Sequence, residues 1–119
     1  MKKKTYHICL SAGEEAYCRS EEDYAYCFNC LALAVAATGS NLMAESIMST
    51  HFHECVRSTC PKDLLHIQRY AYSRYFNAKY SRKGRLGEKF PFITVVDGLY
   101  HTLATLSYVL RNALHHGLA

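Results

Sequence analysis

The stretch LMAESIMSTHFHECVRS, residues 42–58, predicts two adjacent β-strands, at 42–49 and 51–58, joined tightly around Ser49 and Thr50. His51, Phe52 and His53 lie in the second of these strands. Side chains at positions i and i+2 of a strand point to the same face. Both imidazoles therefore share one face and could hold one metal ion, while Phe52 turns into the core.

The remaining elements are predicted outward from this pair of strands. Ser20 is a helix N-cap followed by three acidic residues, and Pro61 suits the first turn of a second helix. The predicted elements are a strand at 5–11, a helix from Ser20 to near Gly39, the strand pair, a helix from Pro61 to Tyr80, a basic loop at 81–87, a strand at 92–96 and a helix at 99–115. The order β-α-β-β-α-β-α begins as a ferredoxin-like unit. We predict an α+β fold, an antiparallel sheet with helices packed on one face, plus a C-terminal helix.

Length and composition indicate one domain, residues 1–119, that can bury a sizeable core. No apolar run approaches the roughly 18 residues of a membrane span. The opening Met1-Lys2-Lys3-Lys4 could begin a signal peptide, but no long apolar region or small-residue cleavage site follows it. We expect a cytoplasmic protein that does not interact with membranes.

Six cysteines lie mostly within apolar segments, which predicts reduced thiols packed as small hydrophobic side chains. Cys27 and Cys30 form a CxxC within a helical pattern, with no second CxxC. A zinc site that joins these two cysteines to the histidine pair is one of the alternative interpretations.

The net charge of +4 is unevenly distributed. Residues 5–56 carry one arginine against seven acidic residues, whereas residues 57–89 carry nine basic residues against two acidic ones. A basic stretch interleaved with tyrosines is typical of a polyanion-binding surface, although a solvated helix face has the same composition.

Tyr108 and Asn112 are four residues apart in the last predicted helix and therefore share a face. Two imidazoles and an amide oxygen leave open positions on a divalent ion that polarises a phosphate oxygen. A tyrosine hydroxyl can attack phosphorus and form a covalent intermediate. His51, His53, Tyr108 and Asn112 together are the groups needed to cut a phosphodiester.

Three segments then resemble one family, the HUH single-tyrosine transposases, and especially the REP-associated tyrosine transposases. Residues 47–53, IMSTHFH, resemble the family's M-P-N-H-hydrophobic-H. Residues 70–80, YAYSRYFNAKY, followed by Gly84, resemble its YxxYFNxxY…G. Residues 108–118, YVLRNALHHGL, resemble its YIxxNPVxxGL. The resemblance runs from about Tyr6 to Ala119.

The resemblance implies a ferredoxin-like fold, Mg²⁺ or Mn²⁺, and cleavage of single-stranded DNA beside a hairpin, with a homodimer possible. By position, it makes His51 and His53 metal ligands, Asn112 the third ligand and Tyr108 the nucleophile. We add four candidates for contacts to DNA phosphates, which would make binding salt-dependent: Arg74, Arg82, Lys83 and Arg85.

Tyr72 or Tyr75 could stack on bases, although helical spacing predicts core packing for most of the tyrosines between 70 and 80.

The sequence departs from the family at three places. Ser49-Thr50 replaces Pro-Asn, Ala113 replaces Pro, and Gly87-Glu88 stands where an aromatic residue and Gln are usual. These departures spare the predicted chemistry but leave a second hypothesis open: a hairpin- or single-stranded-DNA-binding module that has lost cleavage.

Overall fold

The computed structural model describes residues 2–13, 15–87 and 91–115, with side chains described as far as Arg111. Seven elements follow one another in the predicted order. They are β1 (Lys4–Ser11), α1 (Glu21–Ala37), β2 (Asn41–Ile47), β3 (His51–Ser58), α2 (Pro61–Tyr80), β4 (Phe92–Val96) and α3 (Gly98–His115).

The four strands form one antiparallel sheet in the order β2-β3-β1-β4. This is the strand order of a split βαβ unit, so the predicted α+β, ferredoxin-like class is confirmed. β1 lies between β3 and β4, and its register pairs Cys9 with His53 and His7 with Cys55. The sheet therefore has two central strands, β1 and β3, and two edges, β2 and β4.

Local sequence signals explain where the first two helices begin. The Ser20 hydroxyl accepts a hydrogen bond from the backbone N–H of Asp23, which caps α1. Pro61 occupies the first turn of α2, where a missing N–H costs nothing. Ser81, with a φ of 53°, ends α2 in the left-handed region.

The helices lie on both faces of the sheet. α1 and α2 pack against each other and cover the face that carries Ile8, Leu10, Phe52 and Val56, all fully buried. α3 instead packs against β2, β3 and β4. Strand alternation places His7, Cys9, His51 and His53 on the face opposite Phe52. The C-terminal helix thus covers the histidine face.

Gly87 occupies a place where any other residue would be strained. Its φ is +97°, and a Cβ there would lie 2.9 Å from Cδ2 of Leu10, which is fully buried. The basic loop therefore closes against the end of β1. This contact is a physical reason for glycine at a position where the resembling family has an aromatic residue.

Glu54 directly follows His53 in the sequence but points to the opposite face of the sheet. Its side chain is fully buried and accepts a 2.8 Å hydrogen bond from Nε2 of Gln68 on α2. Among the described contacts, Oε2 of Glu54 and Oε1 of Gln68 have no hydrogen-bond partner. Burial raises the pKa of Glu54 to about 8, so the carboxyl is largely protonated at neutral pH.

Asp23 joins α1 to α2. Its carboxylate is fully buried and accepts hydrogen bonds from Tyr75 Oη (2.7 Å), Tyr80 Oη (2.5 Å), Lys79 Nζ (2.9 Å) and the Arg19 backbone N–H (2.9 Å). Burial alone would raise the pKa of Asp23, but these hydrogen bonds outweigh it and hold the pKa well below its ordinary value. The charged form of Asp23 is therefore a cross-link between the two helices.

We expect Asp23→Asn to lower the free energy of unfolding by about 3 kcal/mol, because it leaves Lys79 without its buried partner and weakens two hydrogen bonds. Urea denaturation followed by circular dichroism measures the change. Glu22→Gln is the matched control. Glu22 also pairs with Lys79, at 3.1 Å, but it is largely exposed, so its loss should destabilise the protein far less than the loss of Asp23. Equal effects of the two substitutions would contradict this assignment.

All six cysteines are free thiols, and four of them, Cys18, Cys27, Cys30 and Cys55, are buried, as predicted. Along the described part of the chain, no helix combines the length and the apolar character that crossing a bilayer requires.

Candidate active site

His51 and His53 lie on β3 and face α3. Their ring centroids are 5.2 Å apart with the ring planes nearly perpendicular. His53 is buried, with 6% of its surface exposed, whereas His51 is half-buried at the start of the strand. The predicted shared face is therefore observed, and it follows from strand alternation alone.

A third histidine, His7 on β1, completes the cluster, and sequence reasoning missed it. Its Nε2 lies 3.1 Å from Nδ1 of His53, and the two rings are stacked with centroids 5.3 Å apart. Cys9 also faces this site, with Sγ 3.9 Å from Nε2 of His53. The sequence does show that His7 and Cys9 alternate in a predicted strand and so share one face. Only the pairing of β1 with β3 reveals that this face carries His53.

Tyr108 meets the histidines from α3. Its ring lies edge-on to His53 at 5.3 Å and to His7 at 5.8 Å between centroids. The neighbouring Val109 and, one turn earlier, Thr105 are buried, which fixes this side of α3 against the sheet. Tyr108 itself keeps 45% of its surface exposed, so a substrate can reach it. The structure thus brings Tyr108 together with the paired imidazoles.

Asn112, the predicted third ligand, lies on α3 one turn beyond Tyr108. Its side chain is outside the described part of the structure.

Two histidines of the cluster, His53 and His7, favour the neutral form. Burial, together with the neighbouring His7 and His51, lowers the pKa of His53 to about 4. Burial and the proximity of His101 lower the pKa of His7. His101, on the first turn of α3, accepts a 3.1 Å hydrogen bond at Nδ1 from the Asp97 backbone N–H. At neutral pH the His53 ring is therefore uncharged, and one of its two nitrogens carries no proton.

Both predicted metal ligands have a contact at Nδ1. Nδ1 of His51 lies 3.1 Å from the Thr50 hydroxyl, and Nδ1 of His53 lies against His7. Such contacts at Nδ1 are usual around ligating imidazoles, although Nε2 of His53 also lies 3.9 Å from Sγ of Cys9. Two imidazoles fit a divalent ion that takes its other ligands from an amide, water or phosphate. Within the described residues, no cluster of three or more His, Cys, Asp or Glu is arranged to hold a metal ion.

The four predicted DNA-contacting residues differ in their surroundings. Arg74, Lys83 and Arg85 are exposed. Arg82 instead donates hydrogen bonds from Nε and Nη2 to the Glu15 carboxylate (2.7 and 2.6 Å) and from Nη1 to Asn77 and Gly84. Its geometry is that of a structural residue that holds the basic loop to α2 and to the segment after β1.

The interpretation that Tyr72 stacks on bases is wrong, because Tyr72 is fully buried and its hydroxyl donates to the backbone carbonyl of Tyr17. Tyr75 is also engaged, since its ring stacks on Tyr26 at 3.9 Å and its hydroxyl bonds Asp23. Tyr70, in contrast, has 58% of its surface exposed. Core packing of most of this tyrosine set is therefore observed, with Tyr70 the exception.

The alternative zinc site is contradicted by the fold. Cys27 and Cys30 lie on the buried side of α1, in the same core cluster as Ile8 and Phe52. The histidine pair points to the other face of the sheet. The sheet therefore separates the two pairs of candidate ligands.

Comparison with solved structures gives a clear match. A REP-associated tyrosine transposase bound to a REP hairpin superimposes with a TM-score of 0.75 over 100% of this chain and 72% of that chain. This chain has the fold of a tyrosine transposase. The sequence identity is only 9%, so the likeness concerns the fold. It confirms, at that level, the resemblance seen in the three sequence segments.

A candidate transposase from Deinococcus radiodurans R1 shares this transposase fold, with a TM-score of 0.62 and 17% identity over 94% of this chain and 92% of that one. No family model matches the sequence, and no curated protein matches it.

Proposed function

We propose that this protein is a transposase that cleaves and rejoins single-stranded DNA through a covalent link to Tyr108. The observation that carries the proposal is the contact of Tyr108, exposed on α3, with buried His53 on β3, on the face that also carries His51. A phenol beside a pair of imidazoles brings a nucleophile and two candidate metal ligands to one place.

The chemistry is a phosphodiester exchange. The Tyr108 oxygen attacks phosphorus and loses its proton, and a new bond from phosphorus to the tyrosine oxygen forms. The bond from phosphorus to the 3′ oxygen breaks, and that oxygen keeps the electron pair and takes up a proton as a free 3′ hydroxyl. One phosphodiester replaces another, so a second 3′ hydroxyl can reverse the reaction and join strands without ATP.

His51 and His53, with Asn112 as the third ligand, would hold Mg²⁺ or Mn²⁺. A bound ion would polarise a phosphate oxygen and offset the charge that develops on it. His7 and Thr50 act on the rings, because their contacts at Nδ1 fix the ring orientations. His7 is therefore a positioning residue in this proposal.

The fold likeness and the exposed cations support a DNA partner. The REP-associated tyrosine transposase of the same fold is bound to a REP hairpin. We propose that this chain likewise acts on single-stranded DNA beside a hairpin. Arg74, Lys83 and Arg85 are exposed candidates for contacts to its phosphates.

Metal dependence tests the proposal. A labelled DNA hairpin with single-stranded extensions, incubated with the protein and Mn²⁺, should give a protein–DNA adduct that survives denaturing electrophoresis. Excess EDTA, or the double substitution His51→Ala and His53→Ala, should reduce the adduct to background because the phosphate oxygen loses its polarising ion. Mg²⁺ or Mn²⁺ added back should restore the adduct to the EDTA-treated wild type but not to the double variant.

An adduct of equal yield in EDTA would contradict the metal assignment. Tight, salt-sensitive binding of the hairpin with no adduct under either ion would instead support the alternative, a DNA-binding module without cleavage.

A further inference from the structure

A groove of about 640 Å³ lies between α2, the basic loop and β4, on the sheet face opposite Tyr108. Leu65 and Ile93 contribute apolar surface to it, and Ile93 pairs with buried Ile8 on β1. Lys62, Arg69, Arg74 and Arg85 also line it. The groove is thus a concave surface that combines apolar area with several cations.

The described lining of the groove is strongly basic. None of its described lining residues is acidic. Arg69 is buried and donates from Nη2 to the Leu86 carbonyl oxygen at 3.3 Å. Burial, followed by repulsion from Arg85, lowers the pKa of Arg69. Several cations along one concave surface favour an anionic ligand, and phosphates satisfy this requirement.

Tyr70 supplies an exposed aromatic ring beside these cations. Nη1 of Arg74 donates to the Tyr70 hydroxyl at 3.2 Å, and its guanidinium lies 5.7 Å from the ring centroid. His66 stacks against the same tyrosine at 6.3 Å between centroids. His66 and Arg74, one turn before and one turn after Tyr70 on α2, therefore hold its ring in place. An aromatic platform within a basic groove is the arrangement that binds unpaired nucleotides.

The groove and the candidate active site meet at one edge of the sheet. β4 is an edge strand, and its adjacent residues Phe92 and Ile93 point to opposite faces. Phe92 contacts His7 edge-on at 5.9 Å, whereas Ile93 lines the groove. A flexible polynucleotide that passes around β4 can therefore contact both surfaces, with only the thickness of the sheet between them.

We propose that this groove binds unpaired nucleotides that flank the cleaved phosphodiester, with a base stacked on Tyr70 and phosphates on Lys62, Arg74 and Arg85. The identity of the strand rests on the proposed function, in which single-stranded DNA is the substrate. The binding itself does not require cleavage.

Binding is measured in a Tyr108→Phe background so that cleavage cannot contribute. The probe is a fluorescein-labelled DNA hairpin with a single-stranded extension of about 12 nucleotides, which is within the site size of known single-strand binders. Tyr70→Ala should weaken binding of this probe by about 5- to 150-fold, the range for loss of one stacked base. Tyr70→Phe, which keeps the ring, should bind like the parent.

Salt dependence tests the phosphate contacts separately. Lys62→Ala and Arg85→Ala should each reduce the slope of log K against log salt by about 0.7 for one lost single-strand phosphate. Arg57→Ala, an exposed arginine on β3 outside the groove, is the control for charge, and Tyr100→Ala, an exposed tyrosine on α3, is the control for ring loss.

The hairpin without its extension separates the possible outcomes. The proposal predicts that Tyr70→Ala hardly affects binding of that shorter probe. Equal losses on both probes, or losses no larger than those of Tyr100→Ala and Arg57→Ala, would overturn it. If wild type forms the covalent adduct while the groove variants bind normally, the groove assignment fails and the proposed function stands. If no adduct forms but Tyr70→Ala still weakens binding of the probe with the extension, the groove assignment stands and the proposed function fails.

Discussion

Tyr108→Phe is expected to form no covalent DNA adduct under conditions in which the wild type does, because it removes the single oxygen that attacks phosphorus. The ring that packs edge-on to His7 and His53 is retained, so the fold and the site should keep their shape. Binding of the labelled hairpin should therefore stay within about twofold of wild type. The adduct is measured by denaturing electrophoresis with Mn²⁺.

Tyr100→Phe is the matched control for this prediction. Tyr100 lies on the same helix and is 91% exposed, and its ring has no described contact with the histidines. This variant should form as much adduct as wild type. A Tyr108→Phe protein that still forms the adduct would remove Tyr108 from the chemistry and point to another nucleophile.

Glu54→Gln is expected to stabilise the protein at alkaline pH and to remove part of its pH dependence. The folded-state pKa of Glu54, about 8, lies above its ordinary value of 4.5. The folded state then binds a proton that the unfolded state has released, so stability falls as pH rises through this window. An amide at this position stays neutral, and its N–H groups give Oε1 of Gln68 a possible donor.

The histidines also titrate, which limits the pH range in which the effect of Glu54 on stability can be measured. The pKa of His53 is lowered to about 4 from 6.5, which makes stability rise between these two values as pH increases. Above pH 6.5 the contribution of His53 to stability no longer changes with pH. The remaining pH dependence then comes from Glu54. Between pH 6.5 and 8 the wild type should lose about 2 kcal/mol of unfolding free energy that Glu54→Gln does not lose.

Urea denaturation at a series of pH values measures this difference. Glu21→Gln, at an exposed position on α1, is the control and should follow the wild type. Parallel curves for wild type and Glu54→Gln would show that Glu54 is ionised in the folded state at neutral pH.

The parts of the fold that could be predicted from the sequence were those specified by local signals. Ser20 and Pro61 mark helix starts that the structure reproduces, and the alternation around Phe52 placed both histidines on one face. The strand order followed from the order of the elements, since few topologies connect β-α-β-β-α-β.

The parts that could not be predicted depend on contacts between distant segments. His7 joins the site only because β1 pairs with β3 in one register. Arg82 is tied to Glu15, 67 residues away, so its basic charge in the sequence overstated its availability. Helical spacing divided the tyrosines of α2 into faces but did not indicate that Tyr72 would be covered and Tyr70 exposed.

The close approach of Gly87 to Leu10 links two positions that are far apart in the chain. Any side chain at 87 would need a smaller or differently shaped residue at 10, as well as relief of the positive φ. A variant with an aromatic residue at position 87 alone should therefore fold poorly. A variant that also carries a smaller residue at position 10 can accommodate the new side chain. Descendants of this protein would be expected to alter both positions together or neither.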